Sequence, residues 1–198
     1  MHEERLTGVR VGVVLTGSHC TMGDALPQIE RLRAEGAKIY PILSYTADST
    51  DNRFYQAADL KSFLNQVTDN TIINTITGAE PIGPQKRLDV IAVMPATGNT
   101  IAKLASGIVD TPALMAIKAH LRNQRPVVIA VSTNDALGIN ARNIGMLLNM
   151  KNIYFVPFRQ DDPIQKANSL TASLEQVVDT VIYALQGKQI QPLLLGAL

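Results

Sequence analysis

Short apolar runs alternate along the chain with segments whose apolar residues recur at helical spacing. The apolar runs cover residues 9–15, 38–43, 89–94, 126–131 and 153–156. Their near-continuous apolar character is typical of strands that are buried on both faces of a parallel sheet. Helical spacing is seen over residues 24–35, 57–67, 101–106, 113–122, 138–150 and 170–185. The pattern therefore predicts strands and helices in alternation.

Three connecting segments have a less regular pattern. Residues 44–52 are polar and are predicted to form a loop, whereas residues 78–84 contain Gly and Pro and are typical of a turn. The β-branched run at residues 72–76 is compatible with a short strand or with a helix, because periodicity does not separate the two over so few residues.

The alternation predicts an α/β protein. Each crossover places its helix on one face of the sheet, so we expect a three-layer, doubly wound, mostly parallel sheet with helices on both faces. At 198 residues the chain has the length of one ordinary domain, and we expect a single domain over residues 1–198. Ligands of such sheets bind outside the carboxyl ends of the strands, so function is expected in the loops that follow strands.

Composition narrows the class of partner. Eighteen Lys and Arg face seventeen Asp and Glu without a long block of either sign, so no strong field favours binding to nucleic acid. The one cysteine, Cys20, rules out an intrachain disulfide and suits a reducing compartment. The apolar run at residues 9–15 is too short to cross a membrane and no positively charged leader precedes it. We therefore expect a cytoplasmic protein with no membrane partner.

The loop after the first predicted strand has the composition of an anion site. Thr16, Gly17, Ser18 and Thr21 precede a helix, so hydroxyl and amide groups can surround a phosphate at the positive helix end. The loop is neither the three-glycine dinucleotide fingerprint nor a Walker loop. The alternative is that Ser18 or Thr21 only caps the helix.

The loop after the second strand contributes two more hydroxyl groups, those of Ser44 and Thr46. If the first two strands are neighbours, both hydroxyls reach the same phosphate. A simple solvated turn is the alternative.

The loop after the third strand carries a family resemblance. Residues 95–100 read PATGNT and are followed by Lys103 and Ala105. This segment resembles the Pro-Ala-Ser/Thr-x-Asn-Thr flavin loop of the homo-oligomeric flavin-containing cysteine decarboxylases. The resemblance implies a Rossmann-like or flavodoxin-like flavoprotein fold and FMN bound between subunits. By position, it implies flavin contacts for Ala96, Thr97 and Asn99, phosphate contacts for Gly17, Ser18 and Ser44, and ring contacts for Ser132 and Thr133.

The chain departs from those decarboxylases at two points. Their Pro-x-Met-Asn-x-x-Met substrate clamp corresponds here to residues 131–137, which read VSTNDAL, and only Asn134 matches. Their catalytic histidine in the middle of the chain has no equivalent among His2, His19 and His120. Cysteine decarboxylation is therefore not the expected activity.

A second resemblance covers nearly the whole chain. The segments that carry it are residues 15–21, 49–54, 126–128, 132–138, 151–158 and 160–163. They are similar to the B subunits of dipicolinate synthase, a branch of the same superfamily. This resemblance implies a partner A subunit that binds NADP, a dicarboxylate substrate oxidised to pyridine-2,6-dicarboxylate during sporulation, and a location in the mother cell. A homo-oligomer built from trimers is also implied.

Two other functions remain open at this stage. One is a free-standing FMN-dependent decarboxylase of the same superfamily, and the other is a ligand-binding protein without catalytic activity.

Individual polar residues have more than one interpretation. His19 and Asn134 are the catalytic candidates, although His19 is also compatible with loop packing. Arg53, Asn52 and Arg142 are candidates for binding the two carboxylates, because a guanidinium matches a carboxylate in a bidentate way; solvated arginines are the alternative. Cys20 is expected to be a small buried thiol and His120 to be structural. No residue is assigned to a metal.

Overall fold

The computed structural model describes residues 4–196, and within them seven strands form one sheet. The strands are β1 Arg10–Leu15, β2 Lys38–Leu43, β3 Val90–Ala96, β4 Val127–Thr133, β5 Ile153–Phe155, β6 Phe158–Arg159 and β7 Leu170–Ala172. Their order is β2-β1-β3-β4-β7-β6, and β5 also pairs with β4. The pairs among β1 to β5 are parallel, whereas β7 is antiparallel to β4 and β6. The predicted mostly parallel sheet is confirmed.

Helices cover both faces of this sheet. They are α1 His19–Ala34, α2 Tyr45–Ser49, α3 Ala57–Val67, α4 Ile76–Ala79, α5 Gly98–Ala105, α6 Pro112–Leu121, α7 Ala141–Leu148 and α8 Val177–Leu185, with 3-10 turns at Glu80–Ile82 and Leu174–Gln176. No helix within residues 4–196 combines the length and the apolar character needed to cross a membrane.

Two hydrophobic cores show why the sheet lies in the middle layer. Along β3, Val90, Ala92 and Met94 pack into one core, which α1, α3 and α8 cover. The alternate residues Ile91 and Val93 pack into the other core, beneath α5, α6 and α7. Successive side chains of a strand point to opposite faces, so a strand between two helical layers must be apolar at every position. The three-layer α/β prediction is confirmed.

The last predicted helix begins later than its apolar spacing indicated. Residues 170–185 were expected to be one helix, but Leu170–Ala172 forms β7 and α8 starts only at Val177. Thr171 of β7 pairs with Ser132 of β4. β5 pairs with an earlier part of β4, at Val127 to Ile129. The prediction was wrong here because pairing with a distant strand outweighs local spacing.

The first two helices also differ from the expectation. The helix predicted from residue 24 begins five residues earlier, at His19. The predicted loop at residues 44–52 contains α2, whose N-cap is Ser44. In the undecided run at residues 72–76, Ile73 forms a single parallel bridge with Ile42 beside the edge strand β2.

Burial of His120 predicts an acid-sensitive stability. Its side chain on α6 is 1% exposed, and Nε2 lies 3.1 Å from the Pro126 carbonyl oxygen, to which it donates. Burial lowers the pKa of His120 to about 4, and the nearby Arg125 adds to the effect. Between about pH 6.5 and about pH 4, His120 is therefore protonated in the unfolded chain but neutral in the folded chain. Protonation favours the unfolded chain there, so the unfolding free energy decreases as the pH falls through this range.

We expect His120→Gln to flatten this dependence, because the Gln amide still donates to Pro126 but does not titrate. Between about pH 7 and about pH 4.5, the wild type should lose about 2 kcal/mol more unfolding free energy than the variant. Urea unfolding at both pH values measures the difference. Equal losses for the two proteins would contradict the assignment.

Candidate functional site

The ends of β1 and β3 are joined by the hydroxyl group of Thr16. This side chain is 1% exposed, and its Oγ1 donates to the Pro95 carbonyl oxygen at 2.7 Å. Thr16 Oγ1 in turn accepts a hydrogen bond from the Thr97 amide at 3.1 Å. β2 lies on the far side of β1 and β4 on the far side of β3, so the strand order reverses between these two ends. This is where doubly wound sheets bind their ligands.

A cleft of about 500 Å³ opens at this point. Five of the residues predicted from the sequence line it, namely Gly17, Ser44, Thr46, Thr97 and Asn99. They come from the segments that directly follow β1, β2 and β3, with Thr46 in α2 and Asn99 in α5. The predicted neighbouring positions of β1 and β2 are observed. Hydroxyl, amide and backbone groups from three separate segments therefore face one space.

Two of these hydroxyl groups also cap helices. Ser44 Oγ accepts from the Ala47 amide at 3.3 Å, and Thr97 Oγ1 accepts from the Thr100 amide at 3.3 Å. The Thr97 cap leaves the amides of Gly98 and Asn99, the first two of α5, without a partner inside the helix. Asn99 and Thr100 of the first turn of α5 line the cleft, so the positive end of this helix lies beside it, which favours an anion.

Ser18 has a different role from the helix cap that was one alternative. It precedes α1 but makes no side-chain cap bond. Its Oγ instead lies 2.7 Å from Ser132 Oγ, and Thr21 Oγ1 lies 2.6 Å from the same atom. These three hydroxyls tie the loop after β1 to the end of β4.

Gly98 allows α5 to approach the loop after β4. A Cβ atom at this position would lie 2.6 Å from Thr133 Oγ1, 2.7 Å from Asn140 Nδ2 and 2.8 Å from Asp135 Oδ1. Hydrogen bonds join these three side chains. Thr133 Oγ1 donates to Asp135 Oδ1 at 2.5 Å, and Asn140 Nδ2 donates to Oδ1 and Oδ2 of Asp135 at 3.0 and 2.9 Å. The hydroxyl of Thr133 and the amide of Asn140 together lower the pKa of Asp135.

Lys103 and Asp110 are the charged residues that line the cleft. Lys103 Nζ lies 2.5 Å from Asp110 Oδ2. The two side chains neutralise each other, so hydroxyl groups and the helix end are left to attract an anion.

His19 is the first residue of α1 and follows Gly17, which lines the cleft, by two positions. Its Nδ1 lies 3.0 Å from Asn52 Nδ2 and 3.0 Å from the Tyr55 hydroxyl. Asn52, which was predicted to bind substrate, therefore contacts the predicted catalytic histidine. Burial raises the pKa of Tyr55.

The other predicted residues lie outside the lining of the cleft. Arg53 is exposed and its guanidinium lies 4.7 Å from the centre of the Phe54 ring. Arg142 is exposed near the start of α7, and Asn134 is exposed in the loop after β4. Ala96 is buried at the end of β3. Cys20 is exposed, contrary to the expected buried thiol.

Two further residues near the site were not predicted from the sequence. Tyr55 is one, and its contact with His19 joins segments 36 residues apart. Arg159 is the other, since it lines a second cleft of about 530 Å³ together with Thr21. Arg159 donates to Ser173 Oγ at 2.7 Å. The sequence indicates Arg159 only through its position directly after residues 151–158, one of the segments that resemble the dipicolinate synthase B subunits.

Comparison with known proteins identifies one family model and two dipicolinate synthase B subunits to which this chain is similar. The family model described as Flavoprotein matches residues 1–186. The B subunit of dipicolinate synthase from Bacillus subtilis (strain 168) is 46% identical over 189 residues, which are 96% of this chain and 94% of that protein. The crystal structure of the dipicolinate synthase B subunit from Bacillus halodurans superposes with a TM-score of 0.90 at 45% identity, covering 98% of this chain and 99% of that one.

A more distant structure shares the fold. The FMN-dependent cysteine decarboxylase SpaF superposes with a TM-score of 0.65 at 20% identity, covering 91% of this chain and 99% of that one. The family resemblance predicted from the sequence is confirmed by the family model and by the two B subunits.

We expect Gly98→Ala to destabilise the protein by about 1–3 kcal/mol, because the new methyl group separates Thr133, Asp135 and Asn140 from α5. Gly145→Ala is the matched control, since Gly145 is exposed within α7 and an added Cβ would meet no atom within 4 Å apart from its chain neighbours and the nearby backbone of its own helix. That change should be neutral or stabilise by about 0.5–1 kcal/mol. Urea unfolding measures both variants, and a Gly98→Ala protein as stable as the control would refute the close-approach argument.

Proposed function

Because the chain belongs to the flavoprotein family and, within it, to the branch of the dipicolinate synthase B subunits, we propose that it acts as the B subunit of a dipicolinate synthase built from two different subunits. Its partner in this proposal is an A subunit that binds NADP. The substrate is a dicarboxylated ring precursor at the oxidation level of dihydrodipicolinate, and the product is pyridine-2,6-dicarboxylate. The setting is the cytoplasm of the mother cell during sporulation.

One observation carries the proposal. Gly17, Ser44, Thr97 and Asn99 come from the segments that follow three different strands, yet they line the same cleft at the point where the strand order reverses. The cleft of about 500 Å³ lies within the size range of small-molecule sites. Hydroxyl groups, backbone amides and a positive helix end form a donor set that suits a phosphate.

FMN fits this donor set. In the proposal Gly17, Ser18, Ser44 and Thr46 hold its phosphate, while Ala96, Thr97, Asn99, Ser132 and Thr133 lie along the flavin. When bound, FMN supplies a two-electron acceptor. The hydroxyl cluster of Ser18, Thr21 and Ser132 keeps the loops that form this site in a fixed position.

The oxidation itself removes one hydride and one proton from the ring. One alternative is that NADP on the A subunit accepts the hydride, and the other is that an FMN bound to this chain would accept it. The contribution of this chain is to bind and orient the diacid, with Arg53 and Arg142 directed at its carboxylates and with His19 and Asn134 handling protons. A homo-oligomer based on trimers is part of the same proposal.

A free-standing FMN-dependent decarboxylase is the second candidate. The position of Thr97 and Asn99 in the cleft favours it, because both belong to the segment that resembles the decarboxylase flavin loop. The missing clamp and histidine count against it. Release of carbon dioxide from a peptidyl or pantothenoyl cysteine would support this candidate over the first.

Reconstitution tests the proposed function. The purified chain is mixed with an A subunit, substrate and NADP, with and without FMN, and dipicolinate is followed by its absorbance. We expect product only when both proteins are present. Full product formation in the absence of this chain would overturn the proposal, and unchanged turnover after complete flavin removal would overturn only a role for flavin.

FMN titrations of variants of the purified chain test whether Asn99 binds the cofactor. Asn99→Ala should weaken FMN binding about tenfold, since Asn99 is exposed and loses only its contact with the ligand. Asn65→Ala, an exposed position on α3, should leave binding unchanged. If the two variants bind FMN with equal affinity, Asn99 does not contact the flavin. If Asn99→Ala weakens FMN binding and diacid production stays intact at FMN concentrations too low to saturate the variant, the chain binds flavin without using it.

Arg53→Gln and Arg142→Gln test the carboxylate contacts. Each change should raise KM for the dicarboxylate about tenfold with a smaller effect on kcat, because a bidentate ion pair is lost from ground-state binding. Arg122→Gln, at a position directly after α6, is the control and should not change KM. Steady-state kinetics of the reconstituted pair gives the values. An arginine whose variant matches the control does not bind the substrate.

A further inference from the structure

The loop between α2 and α3 fixes the orientation of the Asn52 side chain. Asn52 Oδ1 accepts from the backbone amides of Phe54 at 2.9 Å and Tyr55 at 3.3 Å. The backbone amide of Asn52 donates to the Tyr55 carbonyl oxygen at 3.1 Å, which closes the turn. Exchanging the oxygen and nitrogen of the side chain would set two N–H donors against its NH₂ group. The amide nitrogen of Asn52 must therefore point away from these backbone groups.

That nitrogen points at His19. Asn52 Nδ2 lies 3.0 Å from His19 Nδ1. A side-chain amide nitrogen only donates, so Nδ1 must accept, and a ring nitrogen that accepts a hydrogen bond carries no proton. In the neutral ring the proton is then on Nε2.

Tyr55 holds the ring from a second direction. Its hydroxyl lies 3.0 Å from the same Nδ1, and the two rings are 5.6 Å apart at an angle of 53°. Burial raises the pKa of Tyr55, so its hydroxyl keeps its proton. Both contacts are on the Nδ1 side of the ring.

The Nε2 side faces no described partner. Within residues 4–196 no group forms a hydrogen bond with His19 Nε2, and the side chain is only partly buried. His19 is the first residue of α1, a helix of 16 residues, and it follows Ser18 of the hydroxyl cluster. An N–H group beside the positive end of a helix suits an anionic oxygen.

We propose that Asn52 and Tyr55 are positioning residues that hold His19 as a hydrogen-bond donor, through Nε2–H, to an anionic oxygen of the bound ligand. That oxygen belongs to a carboxylate of the diacid or to the phosphate of the nucleotide. The identity of the ligand rests on the proposed function, whereas the position of the proton rests on the geometry alone. Asn52 in this proposal acts on His19 and does not contact the substrate.

Nitrogen-15 NMR of the histidine rings in the full chain tests the proton position at about pH 8, above the range in which free imidazole titrates. We expect an unprotonated Nδ1 and a protonated Nε2 for His19 in the wild type. Asn52→Asp keeps an oxygen for the two backbone amides but turns an acceptor toward Nδ1, so the proton should move to Nδ1. Tyr55→Phe keeps the ring contact and should retain the wild-type pattern. A protonated Nδ1 in the wild type would overturn the proposal.

Ligand titrations followed on the same spectra test the donor role. Dipicolinate or inorganic phosphate should shift the His19 Nε2 resonance, and the anion that does so identifies the group that is bound. His120, whose Nε2 donates to Pro126 in the interior, serves as the internal reference and should not move. We expect Asn52→Asp to weaken the binding of that anion at least about fivefold. No Nε2 shift with either anion would overturn the donor role, whatever the reconstituted pair does with substrate.

Discussion

The buried hydroxyl of Thr16 holds together the two strand ends between which the cleft opens. It donates to Pro95 and accepts from Thr97, so β1 and β3 cannot separate without leaving a buried carbonyl and a buried hydroxyl unpaired. The segments that carry Gly17 and Asn99 start from these strand ends. Their positions relative to each other therefore depend on this hydrogen bond in the interior, while the contacts of Ser18 and Thr21 with Ser132 fix the loop after β1 against β4.

The donor groups of the cleft suit an anion although its side chains carry no net charge. Lys103 is paired with Asp110, and the remaining polar groups are hydroxyls, an amide and the N-terminus of α5. Such a donor set recognises a phosphate by the direction of its hydrogen bonds, because no free cation among the described lining residues provides a non-directional attraction. The arginines that suit carboxylates lie outside this lining. The structure thus separates a region suited to a nucleotide phosphate from regions suited to a diacid.

Local patterns predicted most of the fold and the cleft, and contacts between distant segments account for the rest. The apolar run at residues 9–15 and the PATGNT loop at residues 95–100 carry their information locally, so β1, β3 and the positions of Thr97 and Asn99 followed from the sequence. β7 did not, because its pairing with β4 is visible only in three dimensions. The contacts of Ser18 with Ser132 and of His19 with Asn52 span 114 and 33 residues. No periodicity or motif within either segment encodes such a contact.

The position of a bound phosphate tests the central claim most directly. A crystal structure of this chain with FMN should place the phosphorus atom among Gly17, Ser44 and the N-terminus of α5, with the flavin extending toward Ser132. A phosphate bound instead beside Arg159 in the second cleft, or no ordered FMN at saturating concentration, would contradict the account.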